Sequence, residues 1–287
     1  MKHWRLALAL AATFPTAAMA DTAPEVLQRT GRWMLDYDRD SCRMVGQFGT
    51  GDDQMLLRIT RFDLSDTFDL AVFGNRVASD HLQVEATVSF GLDGKPEPRK
   101  GLAGTTGKMK TVWFNSMRFD GAQLRSYKDP PLPKVTAESE AAVTGVTVEM
   151  RGKKPFRLEF GSLAKPMAQM RVCQEDLIKS WGYDAVVQAN LREPPKPIDP
   201  ERWLQVDDFP MEALRQSQSG MVQFRLDVDD QGKAGGCYVL GRTSPDLFAD
   251  TTCKAVLQRA RYRPAIDAEG HPVRSFAVRK VVWQIPE

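Results

Sequence analysis

Histidine is scarce in this 287-residue chain: His3, His81 and His271 are the only three, and no pair has the spacing H-x-x-x-H or H-E-x-x-H. A zinc hydrolase brings at least two imidazoles to one ion, so that class has no support. Cysteine is equally sparse. Cys42, Cys173, Cys237 and Cys253 include no C-x-x-C pair, which argues against zinc ribbons and thioredoxin-like chemistry. No G-x-S-x-G occurs, so the commonest serine-hydrolase elbow is missing. Charge of one sign is missing too. The formal net charge is +2, and a nucleic-acid partner loses its electrostatic argument. No apolar run approaches the roughly 20 residues that span a bilayer.

Several stretches imitate motifs and fail. In "GLAGTTGK" the Gly101–Gly107 spacing is one residue too long for a phosphate loop, and Met109 stands where Ser or Thr is required. "DVDDQG", Asp227 to Gly232, opens like a calcium loop, but its twelfth position is Tyr238, which supplies no carboxylate. A hairpin turn is the simpler reading. "DTA" at Asp21 stands outside any apolar strand, and Asp36, Asp38 and Asp40 in "DYDRD" read as a solvated turn. His81 and His271 read as surface residues. No metal, cofactor or catalytic residue is expected.

The chain does carry a basic start, "MKHWR", a short apolar "LALALAATF", and "AMA" before Asp21. That is a signal-peptide pattern over residues 1–20, cleaved after Ala20. It implies export to the periplasm, with an uncleaved membrane anchor as the rival reading. Loss of Lys2 and Arg5 with the leader brings the net charge to zero. In an oxidising compartment four cysteines default to disulfides, with three pairings open.

Two bodies follow. Over 21–190 the pattern is mostly strand: "LQVEATVSF" sets Leu82, Val84, Ala86, Val88 and Phe90 on one face, and "TFDLAVF" and "FRLEF" alternate likewise. "LDGKPEPRKGLAGTTGKMK" reads as a long exposed loop. The body closes with a helix that places Leu163, Met167, Met170, Leu177 and Trp181 on one face and stops at Gly182. Residues 191–204, with "EPPKPIDP", read as a stiff Pro-rich linker reaching only about 25 Å.

Residues 205–287 carry the clearest pattern. A short helix with Pro210 at its start precedes "MVQFRLDV", which puts Val222, Phe224, Leu226 and Val228 on one face. "DDQG" turns into "CYVLGR". Pro245 to Ala260 then reads as a helix packing Cys253, Val256, Leu257 and Ala260, and "PVRSFAVRKVVWQI" as the last strand. The fold class is therefore α+β: a β-rich domain closed by a helix, then a small two-layer domain of antiparallel strands on one main helix.

Phe209-Pro210, Gly220 to Val222, Asp229 to Gly232 and "ARYRP" at Ala260 to Pro264, in that order, resemble the C-terminal domain of the TonB family over residues 208–286. Phe209 for Tyr, Ala260 for Trp, and the pair Cys237/Cys253 depart from the family pattern. Upstream, "WMLDYDRDSC" and "CQEDLIKSWG" resemble an uncharacterised exported β-rich module of α-proteobacterial TonB-like proteins, which implies no activity.

The resemblance implies recognition of a short TonB-box-like segment of an outer-membrane or envelope protein, taken up as an added strand. The expected surface is the last strand, Phe276, Val278, Lys280, Val282 and Gln284, with Phe209 and Pro210 beside it. Arg274, Arg279 and Lys280 equally suit a role in blunting an open edge. A homodimer through this domain is a further option. Cys237–Cys253 would staple helix to sheet, worth about 3 kcal/mol, and Cys42–Cys173 would close the first domain, nearer 5 kcal/mol. Four free thiols are the rival.

The leading functional expectation is a soluble periplasmic binding protein without enzymatic activity. The alternatives are an energy transducer with an uncleaved anchor, and an enzyme with its site in the first domain.

Overall fold

The computed structural model of the protein describes residues 23–92, 98–123, 126, 128–130, 132–243 and 246–285. The expected leader, its cleavage point and Asp21 lie outside these residues.

The first body is a sheet of β1 (Glu25–Gln28), β2 (Met34–Asp38), β3 (Ser41–Phe48), β4 (Met55–Arg61), β5 (Phe68–Phe73), β6 (Gln83–Ser89), β7 (Pro98–Thr106), β8 (Met109–Met117), β9 (Gly145–Met150) and β10 (Phe156–Glu159). They lie in the order β1-β10-β9-β6-β7-β8-β5-β4-β3-β2, with β1 parallel to β10. Strand twist accumulates over so wide a sheet and curls it. Beyond β1, Thr30 N donates to Gln47 O at 2.9 Å and Gly49 N to Gln28 O at 3.2 Å, so the chain there meets the end of β3. The inner face is one apolar core that includes Phe48, Phe68, Phe114, Phe119 and Phe156.

The segment expected as a long loop is largely sheet. Pro98–Thr106 pairs with β6 on one side and β8 on the other, although 93–97 lie outside the described residues. Its glycines suggested a loop, yet two of them permit close approach. A Cβ on Gly101 would stand 2.8 Å from the Phe114 ring, and one on Gly104 3.1 Å from Trp113. Leu82 precedes β6 and is 65% exposed, while Ala86, Val88 and Phe90 are buried as their alternation requires. The "DYDRD" acids lie mostly in a strand, β2, where Asp36 and Asp38 pair with Arg43.

Three helices serve this body: α1 (Ala137–Ala142), α2 (Ala164–Ser180) and α3 (Ala185–Ala189). In α2, Met167, Met170, Cys173 and Leu177 are buried as the spacing predicts, with Gly182 just beyond at φ 81°. Cys42 of β3 is bonded to Cys173. Arg61, at the end of β4, is buried and meets Glu140 of α1 at 2.9 Å; Arg171 of α2 binds the other carboxylate oxygen. Removing one partner of such a group strands a charge away from water.

The second body contains β11 (Lys196–Ile198), α4 (Met211–Arg215), β12 (Gly220–Val228), β13 (Ala234–Arg242), α5 (Leu247–Arg259), β14 (Arg261–Arg263), β15 (Ala265–Ile266), β16 (Pro272–Val273) and β17 (Ser275–Trp283). The main sheet runs β13-β12-β17, all antiparallel. Cys237 of β13 is bonded to Cys253 of α5. Gly232 closes the "DDQG" turn at φ 82°; a Cβ there would fall 1.9 Å from the Tyr262 carbonyl oxygen. The helix face is rotated from the expected one. Val256 and Ala260 are buried as expected, together with Phe248, Ala249, Thr252 and Ala255, whereas Cys253 is half-buried and Leu257 is 40% exposed.

Residues 191–204 differ from a stiff spacer. Lys196–Ile198 pairs with β14, Glu193 bridges to Ile266, and Trp203 is buried against Tyr262. Prolines 195 and 197 fit because β11 is a short two-strand pairing, where a missing amide is tolerated.

Two measurements probe this framework. Glu140→Ala is expected to cost about 3–5 kcal/mol in urea unfolding, and adding Arg61→Met to recover part of it by removing the stranded cation. Glu25 on β1 accepts from Arg76 at 2.7 and 3.1 Å and from Lys154 at 2.9 Å. These bonds, Arg76 first, pull its carboxyl from 4.5 to about 2. Because the folded value is depressed, its stabilising contribution is full above about pH 4.5 and fades as pH falls toward 2. NMR titration should place the Glu25 carboxyl midpoint near 2, and Arg76→Met should move it back up toward 4.5.

Candidate functional site

The β12 pattern that promised one apolar face yields two covered faces. Val222, Phe224, Leu226 and Val228 pack toward α5, yet Gln223 and Arg225 on the opposite face are also under 10% exposed. The first body covers them. The Arg225 guanidinium lies 4.3 Å from the centroid of Trp181, just after α2, and 4.1 Å from that of Tyr238 on β13. Tyr183 reaches across with its hydroxyl 2.8 Å from Asp227 Oδ1 and 3.0 Å from the Ser275 carbonyl oxygen. Burial, then the hydrogen bond to Asp227, push that phenol well above its ordinary pKa. Arg274 stacks on the Tyr183 ring at 4.4 Å, and Ser275 Oγ donates to Gln188 Oε1 at 2.6 Å.

The expected partner-binding residues divide sharply here. Phe209 is a core residue, its ring 5.7 Å from Phe248 and 5.8 Å from Trp283. Pro210 caps α4 without a side-chain bond. Register pairs Phe276, Val278, Lys280 and Val282 with Asp227, Arg225, Gln223 and Met221, so all four share the face turned toward the first body. Phe276 sits 5.4 Å from the Trp181 ring and 5.1 Å from Tyr183. Lys280 Nζ donates to Asp69 Oδ2 of β5 at 2.6 Å and to Asn115 Oδ1 of β8 at 2.8 Å. Burial draws the Lys280 ammonium below its ordinary pKa, and Asp69 works against that. Val282 is 51% exposed, and Gln284 is exposed beyond the strand.

Backbone direction gives those same residues a second property. Met221 bonds Thr243 through both its N and its O, on the β13 side. Backbone groups alternate between the two edges of a strand, so even-numbered residues of β12 serve β17, and their partners are the odd-numbered residues of β17. The amides of Phe276, Val278, Lys280 and Val282 therefore point to the far edge of β17, which pairs with no strand among the described residues.

Residues 206–285 match the family described as the Gram-negative bacterial TonB protein C-terminal. This segment is a TonB C-terminal domain. The match covers under a third of the chain, and the two disulfides are consistent with an oxidising compartment. No curated protein matches the chain.

Sequence reading missed Asp69, Asn115, Trp181, Tyr183 and Arg225 as parts of this constellation. The signal available was Trp181-Gly182-Tyr183, two aromatics straddling a helix stop, together with Arg225 and Asp227 on a strand that otherwise looked half-solvated. Neither names its partner. Asp69→Asn and Lys280→Met should each destabilise the urea transition by about 2–4 kcal/mol. The double variant should cost clearly less than their sum, since each single change leaves the other charge unpaired.

Proposed function

We propose that the protein is a periplasmic binding protein, exported by cleavage after Ala20, whose TonB C-terminal domain takes up an extended segment of an envelope partner as a strand against β17. The observation that carries this reading is the outer β17 edge, which pairs with no strand among the described residues and toward which the amides of Phe276, Val278, Lys280 and Val282 are directed. Main-chain hydrogen bonds of an added strand supply affinity regardless of side-chain identity, and alternate side chains supply selectivity. Domains of this family engage outer-membrane proteins, so a periplasm-facing segment of such a protein is the proposed partner. No catalytic role is assigned. Among the described residues no helix is long and apolar enough to cross a membrane, and cell fractionation with intact mass distinguishes a released chain beginning at Asp21 from an anchored one.

The test is binding of synthetic peptides copying the periplasmic N-terminal segments of outer-membrane transporters to the full mature chain. Val278→Pro removes an outward amide without touching the β12 ladder, and proline is tolerated on an edge. It should weaken peptide binding at least tenfold with an unchanged circular dichroism spectrum. N-methylation of alternate peptide amides should do the same. Binding that ignores both changes excludes strand addition at this edge.

A further inference from the structure

Where the two sheets part, between the outer face of β4, β5, β7 and β8 and the facing sides of β12 and β13, they leave a cleft of about 380 Å³. That is the size of a small-molecule site. Its walls are mainly apolar, with Leu82, Leu102 and Trp113 from the first body and Met221 and Leu240 from the second. Two buried polar atoms in the lining have no hydrogen-bond partner: Arg58 Nε and Gln223 Oε1.

The other charges of the lining are matched. Arg43 pairs with Asp36 and Asp38, Arg242 with Asp246, and Asp69 with Lys280. Arg58 has no ion pair among the described residues; its guanidinium lies 5.3 Å from the centroid of the Phe73 ring. Burial, and then the repulsion of Arg43, draw its pKa down against the pull of Asp69, a carboxylate whose close ion pair is with Lys280. A guanidinium in an apolar cleft is the natural partner of a carboxylate. One guanidinium without an ion pair offers one carboxylate a bidentate hydrogen-bonding partner.

We propose that this cleft binds a small amphiphilic monocarboxylate, its head on Arg58 and its hydrocarbon body against Leu102, Trp113, Met221 and Leu240. The Gln223 oxygen accepts from a hydroxyl or amide where the body carries one. Both bodies contribute to the walls, so the ligand links them.

Calorimetric titration of the full mature chain with decanoate, below its micellar concentration, tests this, with decanol as the neutral control. One decanoate per chain is expected, with decanol at least tenfold weaker. Arg58→Met should reduce decanoate affinity at least tenfold and leave decanol unchanged. Gly241→Leu projects a side chain from the β13 wall, where a Cβ would meet only Gln223 Cβ at 3.9 Å, and should abolish both. Absence of decanoate binding, equal affinity for decanol, or decanoate binding that survives Gly241→Leu in a protein of native circular dichroism overturns the proposal.

Discussion

A sheet has two faces, and one helix covers only one of them. In the TonB C-terminal domain of this chain, α5 and the Cys237–Cys253 bond cover the face carrying Phe224 and Leu226. The opposite face carries Gln223, Arg225 and Lys280, groups that lose hydration once covered and therefore need partners there. Arg225 between two aromatic rings and Lys280 on Asp69 and Asn115 are the answers the first body supplies.

This arrangement separates the two resources of β17. Its odd-numbered residues give their backbone to β12, and Ala277 and Trp283 among them are buried in the second core. Its even-numbered residues give their side chains to the first body and keep their amides for the outer edge. A partner adding as a strand would use those amides without displacing Phe276 from Trp181 or Lys280 from Asp69. Strand addition at the edge, as proposed, and docking of the face would therefore not compete for the same atoms. Blunting of the edge by charge, one role open to Lys280, is weakened here because its ammonium is held inward.

The parts of the fold legible in the sequence are those where local period and burial agree. Val84 to Phe90, Met167 to Leu177 and Val222 to Val228 alternate or repeat because each element has an apolar stripe of its own. Composition misled where glycine served packing. Gly101 and Gly104 looked like loop residues, but their missing side chains make room for Phe114 and Trp113. Leu257 was misplaced for a different reason: its i+4 spacing from Cys253 is helical, yet the buried face is centred on Phe248, Thr252 and Ala255, with Cys253 at its margin.

The sequence by itself determined the α+β class, the order of elements in the last 80 residues, the resemblance of that segment to TonB domains, and a cysteine set with one pair available to each body. These depend on residues near one another in the chain, where period, turn chemistry and spacing leave a readable trace. Tertiary structure alone decided that β12 is covered on both faces, that Phe209 belongs to the core, that Lys280 meets a residue 211 positions away, and that Arg58 stands without an ion pair among the described residues. The reason is physical. A charged residue on a strand has the same local pattern whether its far partner is water, an aromatic ring or a carboxylate, and only the packing of one sheet on another chooses among them.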